Sequence, residues 1–162
     1  MITRPAVEED LRVILEIMND AILHTTSVYD YTTRSMEYVE KWFAQKKTDG
    51  MPVLVIGEPG EAKGYGSFGI FRAWAAYRFS VEHSIYIHKN SRGGGLGKQL
   101  LTDLIAEARG GGYHTMIAGV DAANKKSIDF HRNAGFEEVG RFREVGFKFN
   151  RWLDLVFMQR ML

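Results

Sequence analysis

Hydrophobic and polar residues follow two distinct periods along the chain, and these periods predict the order of its helices and strands. Apolar residues recur every three to four positions in four segments, which predicts helices over about 8–22, 35–46, 95–109 and 127–133. Short apolar runs and strict alternation predict strands over 2–4, 53–56, 64–71, 79–88, 115–120, 137–145 and 152–161. The resulting order, βααβββαβαββ, favours an α+β fold in which helices cover both faces of one sheet.

Two connections in this order have an unusual composition. Residues 25–33 are polar and aromatic without a period, which predicts an irregular segment between the first two helices. Residues 72–78 join two strands and are rich in aromatic and basic side chains. In the second helix, we expect Tyr38, Trp42 and Phe43 to point inward.

Glycines cluster where the strand at 79–88 gives way to the helix at 95–109. The segment Arg92-Gly93-Gly94-Gly95-Leu96-Gly97 leaves main-chain N–H groups uncovered at the positive end of a helix dipole. Phosphate groups bind in such places. The pattern therefore predicts a phosphate-bearing cofactor, although a glycine-rich turn without a ligand has the same appearance in sequence.

The spacing of these glycines excludes two common phosphate-binding motifs. The dinucleotide pattern G-x-G-x-x-G fails, because its third glycine would fall on Lys98 or Leu100. The P-loop pattern fails because Gln99 follows Lys98 and Arg92 stands in place of the first glycine. The pattern that remains is R-x-x-G-x-G.

Composition limits the classes of protein to which the chain can belong. At 162 residues, with 45% hydrophobic and 25% charged residues, it fits one globular domain spanning residues 1–162. A net charge of +1 gives no reason to expect nucleic acid or an anionic membrane as a partner. We expect a cytoplasmic protein, since no long apolar run or signal-like N-terminus occurs. The absence of cysteine excludes disulfides, thiolate metal sites and a cysteinyl acyl-enzyme.

The glycine loop and several later segments resemble one enzyme superfamily. R-x-x-G-x-G, followed by Asn124, Ser127, Phe130-His131 and Gly135-Phe136, is similar to the pattern of the GNAT acetyl-CoA-dependent N-acyltransferases. Within that superfamily, nearly the whole chain resembles the phosphinothricin and methionine sulfoximine N-acetyltransferases. The matching segments are 64–68, 81–87, 146–149 and 152–155.

The resemblance implies a mostly antiparallel sheet that is split at a binding cleft for acetyl-CoA. The main chain of Ile85, Tyr86 and Ile87 would pair with the pantetheine arm of that cofactor. Asn124 and Ser127 would contact the cofactor near the following helix, although Asn124 is also suited to cap that helix. The residues implied for the pyrophosphate are Arg92, Gly93, Gly94, Gly95, Leu96, Gly97 and Lys98.

Glu82 is the candidate general base. Alternation places it with Ser80, Ser84 and Tyr86 on one face of a strand, where glutamate is otherwise unfavourable. A carboxylate that faces solvent is the ordinary interpretation of this pattern. The resemblance implies instead a base that deprotonates an amine, often through water. Burial would have to raise the pKa of Glu82 for this task.

His131 is the candidate acid. The resemblance places it where many GNAT enzymes have a tyrosine that protonates the departing thiolate, and an imidazolium would do the same near neutral pH. A packed or hydrogen-bonded histidine is the alternative. The main-chain N–H of Ile85 would stabilise the oxyanion if the strand carries a bulge there. The remaining histidines show no metal-ligand spacing, so we expect no metal cofactor.

The connection at 72–78 is the candidate site for the acceptor. Its two arginines would hold a carboxylate while its rings pack against the acceptor side chain. Solvated arginines, and aromatic residues at a core or a dimer interface, are the alternatives; the resemblance implies a homodimer. The candidate acceptor residues are Arg72, Trp74, Ala75, Ala76, Tyr77 and Arg78, with Thr26, Ser27 and Tyr29 as the opposite wall that the resemblance implies.

Together these residues predict direct transfer of acetyl from acetyl-CoA to the α-amine of a small amino acid. Methionine sulfoximine, methionine sulfone and phosphinothricin are the expected acceptors. Without cysteine, the transfer is either direct, as we expect, or uses a weaker nucleophile. A non-catalytic acyl-CoA-binding domain is the rival, but it would need neither Glu82 nor His131. A GNAT enzyme for protein N-termini or aminoglycosides is a third possibility. An aminoglycoside site should be acidic, whereas the 72–78 connection has two arginines and no acid.

Overall fold

The computed structural model describes all 162 residues, and its elements follow the order that the sequence predicts. Strands β1 to β7 span Thr3–Pro5, Val53–Ile56, Gly64–Ile70, Ser80–Ile87, Thr115–Asp121, Glu137–Lys148 and Arg151–Met161. Helices α1 to α4 span Leu11–His24, Met36–Thr48, Leu96–Gly110 and Lys125–Asn133. None of these helices is both long enough and apolar enough to span a membrane.

All the strands belong to one mixed sheet with the order β1-β2-β3-β4-β5-β7-β6. Neighbouring strands are antiparallel except for β4 and β5, which are parallel. This parallel pair is short, since it begins with Ser80 opposite Thr115 and ends with Glu82 opposite Ile117. Beyond Glu82 the two strands are unpaired, so a gap opens in the middle of the sheet. The split sheet that the resemblance implies is therefore confirmed.

The helices cover both faces of the sheet, as the hydrophobic pattern predicts. Helices α1 and α2 pack on one face, where Ile14, Val39 and Val55 are fully buried. Helices α3 and α4 pack on the other face, around Leu104 and Met116. The sheet therefore separates two hydrophobic cores, and the gap between β4 and β5 lies between them.

One detail of the predicted packing is wrong. The buried face of α2 is centred on Val39 and Phe43, which lie one helical turn apart, whereas Tyr38 is 44% exposed. The Arg34 guanidinium lies 4.8 Å from the centre of the Tyr38 ring. Tyr38 therefore lies at the edge of the helix–sheet contact rather than in the core.

Candidate active site

A cavity of 820 Å³ follows the gap between β4 and β5. Its walls come from β4, β5, the start of α3, one face of α4 and the inner side of α1. Because α1 and α4 lie on opposite faces of the sheet, the cavity passes through the sheet. We call it the through-sheet cavity. Its volume is within the range of small-molecule and cofactor sites.

The hydrogen bonds at the two ends of β4 show which main-chain groups face this cavity. The N–H of Phe71 donates to the Ser80 carbonyl, and the N–H of His88 donates to the Lys63 carbonyl. The register between β3 and β4 is unbroken from one end to the other. Main-chain direction alternates along an antiparallel ladder, so the even-numbered residues of β4 bond to β3 and the odd-numbered residues face β5.

Ile85 and Ile87 consequently direct their main-chain N–H and C=O groups into the gap, where β5 no longer pairs with them. Tyr86 directs its main-chain groups towards β3, and its ring packs 5.4 Å from that of Tyr65, measured between centres. The bulge expected at Ile85 is absent, since no register shift interrupts the ladder between β3 and β4. The Ile85 N–H is free because the pairing between β4 and β5 has ended.

The glycine loop forms the end of the cavity next to α3. Gly93 and Gly95 have left-handed backbone, with φ of 87° and 78°, and Gly95 immediately precedes α3. No atom lies within 4 Å of the position that a Cβ would take on Gly93, Gly94 or Gly95. The first N–H groups of α3 have no helical partners, so they remain available to an anion. Of the predicted pyrophosphate residues, all except Gly94 line the cavity.

Arg92 is held at the mouth of the cavity rather than left free. Its Nε donates to the Ile87 carbonyl at 3.2 Å, and its Nη2 lies 3.3 Å from Oδ2 of Asp20 on α1. The side chain is 54% exposed, so its positive charge remains accessible at the cavity mouth.

Helix α4 places Asn124, Ser127 and His131 along the opposite wall. Asn124 caps the helix, since its Oδ1 accepts from the Ser127 N–H at 3.1 Å. This is the capping role that the sequence left open, and it still leaves the side-chain NH₂ of Asn124 available to a ligand.

His131 is buried, and its Nδ1 lies 2.7 Å from the Ser127 carbonyl oxygen. Because that oxygen only accepts, Nδ1 bears the proton and Nε2 does not in the neutral ring. Burial lowers the pKa of His131, and the bond to the Ser127 carbonyl opposes that shift only in part. The lowered pKa favours the neutral ring, and the role of His131 as the acid stays a prediction.

Glu82 lies at the last paired position of β4, on the face of α1 and α2. Burial raises the pKa of its carboxyl group. A Cβ atom placed on Gly119 of β5 would lie 3.3 Å from Oε1 of Glu82, with Leu155 and Phe157 close by. Gly119 therefore leaves room for the carboxyl group beside the gap, and apolar side chains adjoin it there.

A second, smaller cavity of 210 Å³ lies between α1, α2 and the β3–β4 pair. It shares Glu82, Ser84 and Tyr86 with the through-sheet cavity, so the two meet at Glu82. We call it the α2 cavity. Its other walls are mostly apolar and aromatic, with two cations; they include Met18, Ile22, Val28, Arg34, Tyr38, Trp42, Lys46 and Tyr65.

Lys46 is the cation of the α2 cavity that has no carboxylate partner. Its Nζ donates to the Phe68 carbonyl at 2.7 Å, and burial lowers its pKa although Asp49 opposes that shift. A Cβ on Gly69 would lie 3.3 Å from this Nζ, and Gly69 is the cross-strand partner of Glu82. Sequence reasoning missed Lys46, because a lysine in the last turn of a helix is an ordinary response to the helix dipole.

The 72–78 connection lines neither cavity. Its residues are exposed. The Arg72 guanidinium lies 5.8 and 6.0 Å from the ring centres of Phe71 and Tyr77, and that of Arg78 lies 4.6 Å from Phe79. The carboxylate clamp by Arg72 and Arg78 stays a prediction, since neither arginine lines a cavity of the single chain.

Two of the three residues predicted as the opposite wall of the acceptor site line a cavity. Thr26 and Ser27 line the through-sheet cavity, whereas Tyr29 lines neither cavity. Lys148 holds this segment in place, since its buried Nζ donates to the Thr25 and Val28 carbonyls at 2.7 Å each. The irregular segment is thus fixed by β6, a strand far away in the sequence.

Comparison with known protein families shows which family has this arrangement of sheet and cavity. The Acetyltransferase (GNAT) domain family matches residues 4–157. The chain belongs to this family. It is accordingly an acetyltransferase, and its split sheet is the GNAT fold.

Three relatives of this GNAT chain are informative. An L-methionine sulfoximine/L-methionine sulfone acetyltransferase of Salmonella typhimurium is 43% identical over 162 residues, covering 100% of this chain and 95% of that protein. A phosphinothricin acetyltransferase of Sinorhizobium meliloti, solved in complex with acetyl-CoA, is 40% identical with a TM-score of 0.95 and covers 99% of this chain and 88% of that one. A ribosomal-protein-alanine N-acetyltransferase of Brucella melitensis is 45% identical with a TM-score of 0.97 and covers 100% of both chains.

Proposed function

We propose that this GNAT protein transfers acetyl from acetyl-CoA to the α-amine of a small amino acid, with Glu82 as the general base. The observation that carries the proposal is the position of Glu82, whose carboxyl lies where the through-sheet cavity meets the α2 cavity. The acceptors named for two of its relatives, methionine sulfoximine or sulfone and phosphinothricin, support an amino acid with a tetrahedral polar group.

The residues of the through-sheet cavity fit acetyl-CoA. The glycine loop offers uncovered N–H groups and Lys98 to a pyrophosphate, while Ile85 and Ile87 offer main-chain groups to an extended pantetheine arm. The NH₂ group of Asn124 supplies a further donor. Acetyl-CoA supplies the reactive thioester, and the protein holds it by its two ends along the gap.

Glu82 prepares the acceptor. An α-amine is protonated near neutral pH, so it becomes a nucleophile only after a base removes a proton. Burial raises the pKa of Glu82, which makes the carboxylate a stronger base than an exposed glutamate. The chain has no cysteine to form an acyl-cysteine intermediate, which supports direct attack of the amine on the thioester.

The α2 cavity receives the acceptor. Its volume of 210 Å³ suits a small amino acid, and Trp42, Tyr65 and Tyr86 give it an aromatic wall. Lys46 and Arg34 add positively charged side chains to the same cavity. An amino acid whose amine lies at Glu82 and whose polar oxygens lie at Lys46 satisfies both charges.

Replacement of the base tests this proposal. We expect Glu82→Gln to lower kcat at least about 100-fold, because general-base catalysis typically contributes that much, while acetyl-CoA binding stays near the wild-type value. Activity of the wild type should fall as pH drops through the raised pKa of Glu82, since the carboxylate is then protonated. Steady-state CoA release with a panel of amino acids measures both effects.

An exposed acidic residue provides the control for that experiment. Glu37→Gln changes a surface carboxylate on α2 and should leave turnover unchanged. If Glu82→Gln keeps near-normal turnover with every acceptor, Glu82 is not the base. If no amino acid releases CoA above background, the proposed activity is wrong.

Acetylation of a protein N-terminus is the second candidate, and the Brucella melitensis relative favours it. The small α2 cavity favours a free amino acid, because α2 and α1 close around it. Adding a peptide with N-terminal alanine to the same panel separates the two functions. A peptide with a larger kcat/KM than every free amino acid would establish the second candidate.

The assembly and location of the protein extend the proposal. We propose one domain over residues 1–162, a cytoplasmic location, no nucleic-acid or membrane partner, and a homodimer. The homodimer is supported by β6, an edge strand with both faces exposed. Its exposed apolar side chains include Val139, Phe142, Val145 and Phe147.

A further inference from the structure

The Tyr65 hydroxyl is a polar group of the α2 cavity that has no hydrogen-bond partner in the protein. Tyr65 is only 3% exposed, and its ring centre lies 6.1 Å from that of Trp42 and 5.4 Å from that of Tyr86. The ring nitrogens of His83 are the only buried side-chain nitrogen or oxygen atoms that are both fully enclosed and unpartnered. The Tyr65 hydroxyl is therefore not sealed into the core, and it is open to the cavity that Tyr65 lines.

An unpartnered hydroxyl on a cavity wall discriminates between ligands. Water satisfies it while the cavity is open, but a ligand that displaces the water must replace the lost hydrogen bond. A ligand that cannot do so leaves the hydroxyl unsatisfied, at a cost of roughly 1–3 kcal/mol. Sites built to form a hydrogen bond with a substrate reject analogues without the matching polar group for this reason.

The order of residues on the sheet places Tyr65 at a definite point relative to the proposed base. Three cross-strand pairs of β3 and β4 line the α2 cavity in sequence: Gly69 with Glu82, Ser67 with Ser84, and Tyr65 with Tyr86. Glu82 and Tyr65 thus lie at opposite ends of this row of pairs. An acceptor whose amine lies at Glu82 would extend its side chain along the row towards the tyrosines.

Other polar groups along this row are less suited to contact the end of an acceptor side chain. The Ser67 hydroxyl already donates to the Pro52 carbonyl at 2.7 Å. Lys46 belongs to the Glu82 end of the row, because a Cβ on Gly69 would lie 3.3 Å from its Nζ.

Tyr65 keeps its proton and can act as a donor. Burial raises its pKa well above the ordinary value for tyrosine, and the proximity of Tyr86 and Tyr38 adds to the shift. The charge of Glu82 in turn contributes to the raised pKa of Tyr86. Because Tyr38, Tyr86 and Glu82 all line the α2 cavity, the Tyr65 hydroxyl lies among groups that face this cavity.

We infer that Tyr65 is a specificity-determining residue whose hydroxyl donates a hydrogen bond to an oxygen on the side chain of the acceptor. The matching chemistry is a sulfone, sulfoximine or phosphinate oxygen, which a thioether lacks. This inference rests on the proposed function, because it concerns the acceptor of the same reaction. No bond forms or breaks at Tyr65, since its hydroxyl only favours one class of acceptor over another.

Two acceptors that differ only in the oxygens on sulfur test this contact. Wild-type protein should acetylate methionine sulfone with a kcat/KM at least tenfold above that for methionine. Tyr65→Phe should lower kcat/KM for the sulfone about tenfold, mainly through KM, as expected for the loss of one hydrogen bond. The value for methionine should not fall, because its binding no longer leaves a hydroxyl unsatisfied. Steady-state CoA release measures all four values.

Two further variants show whether the effect belongs to the Tyr65 hydroxyl. Tyr113→Phe removes a hydroxyl from a tyrosine that lines neither cavity, and it should keep the wild-type preference for the sulfone. Lys46→Met should also keep that preference, whatever its effect on KM, because Lys46 lies at the other end of the row. The Tm of Tyr65→Phe should not be lower than that of the wild type, since no bond within the protein is lost.

Binding without turnover separates this inference from the proposed function. In protein saturated with CoA, the wild type should bind methionine sulfone more tightly than methionine, and Tyr65→Phe should bind the two equally in titration calorimetry. If wild-type protein acetylates neither amino acid, the proposed function fails, and these four dissociation constants alone decide the role of Tyr65.

Three results would overturn the inference. One is a wild type that binds and acetylates both amino acids equally well. Another is a Tyr65→Phe variant that keeps the wild-type preference, which would show that the hydroxyl holds only water. The third is loss of the preference in Lys46→Met but not in Tyr65→Phe, which would assign the contact with the side-chain oxygen to Lys46.

Discussion

The positions of the Lys46 and Glu82 side chains depend on the glycines that lie beside them in the sheet. Gly69 and Gly119 flank Glu82 on the two neighbouring strands, and neither has a side chain to fill the space. The Lys46 ammonium approaches over Gly69, whereas the Glu82 carboxyl approaches over Gly119. The Lys46 Nζ donates to the Phe68 carbonyl, so its charge is not joined to the Glu82 carboxylate in an ion pair.

Removal of the Lys46 charge should weaken the acceptor and not the cofactor. We expect Lys46→Met to raise KM for the amino acid about tenfold, the typical effect of losing a charged hydrogen bond, with acetyl-CoA binding unchanged. The fold should tolerate the change, because methionine fills the aliphatic volume and removes a half-buried charge. Initial rates over a range of acceptor concentrations measure KM.

Comparison of acceptors shows which oxygens Lys46 contacts. If Lys46 contacts the polar end of the acceptor's side chain, the Lys46→Met variant should no longer discriminate between methionine sulfone and methionine. If Lys46 contacts the acceptor's carboxylate, the variant should acetylate the amino-acid amide as well as it acetylates the acid. Lys41→Met, at an exposed lysine on the same helix, is the control. An unchanged KM in Lys46→Met would exclude Lys46 from the acceptor site, and Arg72→Ala and Arg78→Ala would then test the 72–78 connection.

At the scale of elements, the start of α3 unites three features of an anion site. Left-handed glycines turn the chain, the first helical N–H groups have no partners, and the helix dipole places positive potential there. A residue with a Cβ adopts left-handed backbone at a cost of about 1–2 kcal/mol. The position of each glycine in the loop therefore decides whether it is replaceable.

A pair of alanine substitutions in the loop tests this view of α3. Gly95→Ala should raise KM for acetyl-CoA several-fold, because alanine disfavours the φ of 78° that directs the chain into α3. Gly94→Ala is the matched control, since Gly94 has no left-handed backbone and its Cβ would meet open space. Equal effects of the two variants on KM would contradict a role for loop conformation in cofactor binding.

At the scale of the whole molecule, β6 is the least protected part of the sheet. It lies at the end of the strand order, and nearly all its residues are exposed. Exposed edge strands with apolar side chains tend to pair with another chain. The same strand carries Lys148, which holds residues 25–28 beside the through-sheet cavity. A dimer formed through β6 would thus have its interface on the strand that holds residues 25–28, close to the proposed acceptor site.

A charged residue on β6 should disrupt the proposed homodimer. We expect wild-type protein to be a dimer and Val145→Glu to be a monomer in analytical ultracentrifugation at micromolar concentration, because Val145 is 54% exposed in the single chain. Val7→Glu introduces the same charge at an exposed valine on another part of the surface and should remain dimeric. A monomeric wild type would contradict the homodimer.

The order of helices and strands, the position of the glycine loop and the face of β4 that bears Glu82 are all predictable from the residues alone. These features are local, because they follow from the periods of 2 and 3.6 residues and from the backbone freedom of glycine. The GNAT pattern extended this to acetyl-CoA and to the split sheet, since R-x-x-G-x-G is contiguous in the chain. The predicted strand over 137–145 was too short by three residues at its end, where β6 continues to Lys148.

The state of the groups near the gap depends instead on contacts between segments that are far apart in the chain. The gap opens after Glu82 because Ile117, far away in sequence, is the last residue of β5 that pairs with β4. Burial of side chains beside the gap raises the pKa of Glu82 and lowers the pKa of both His83 and His131. These pKa shifts depend on contacts between distant segments and on the exclusion of water. Neither can be predicted from a pattern of neighbouring residues in the sequence.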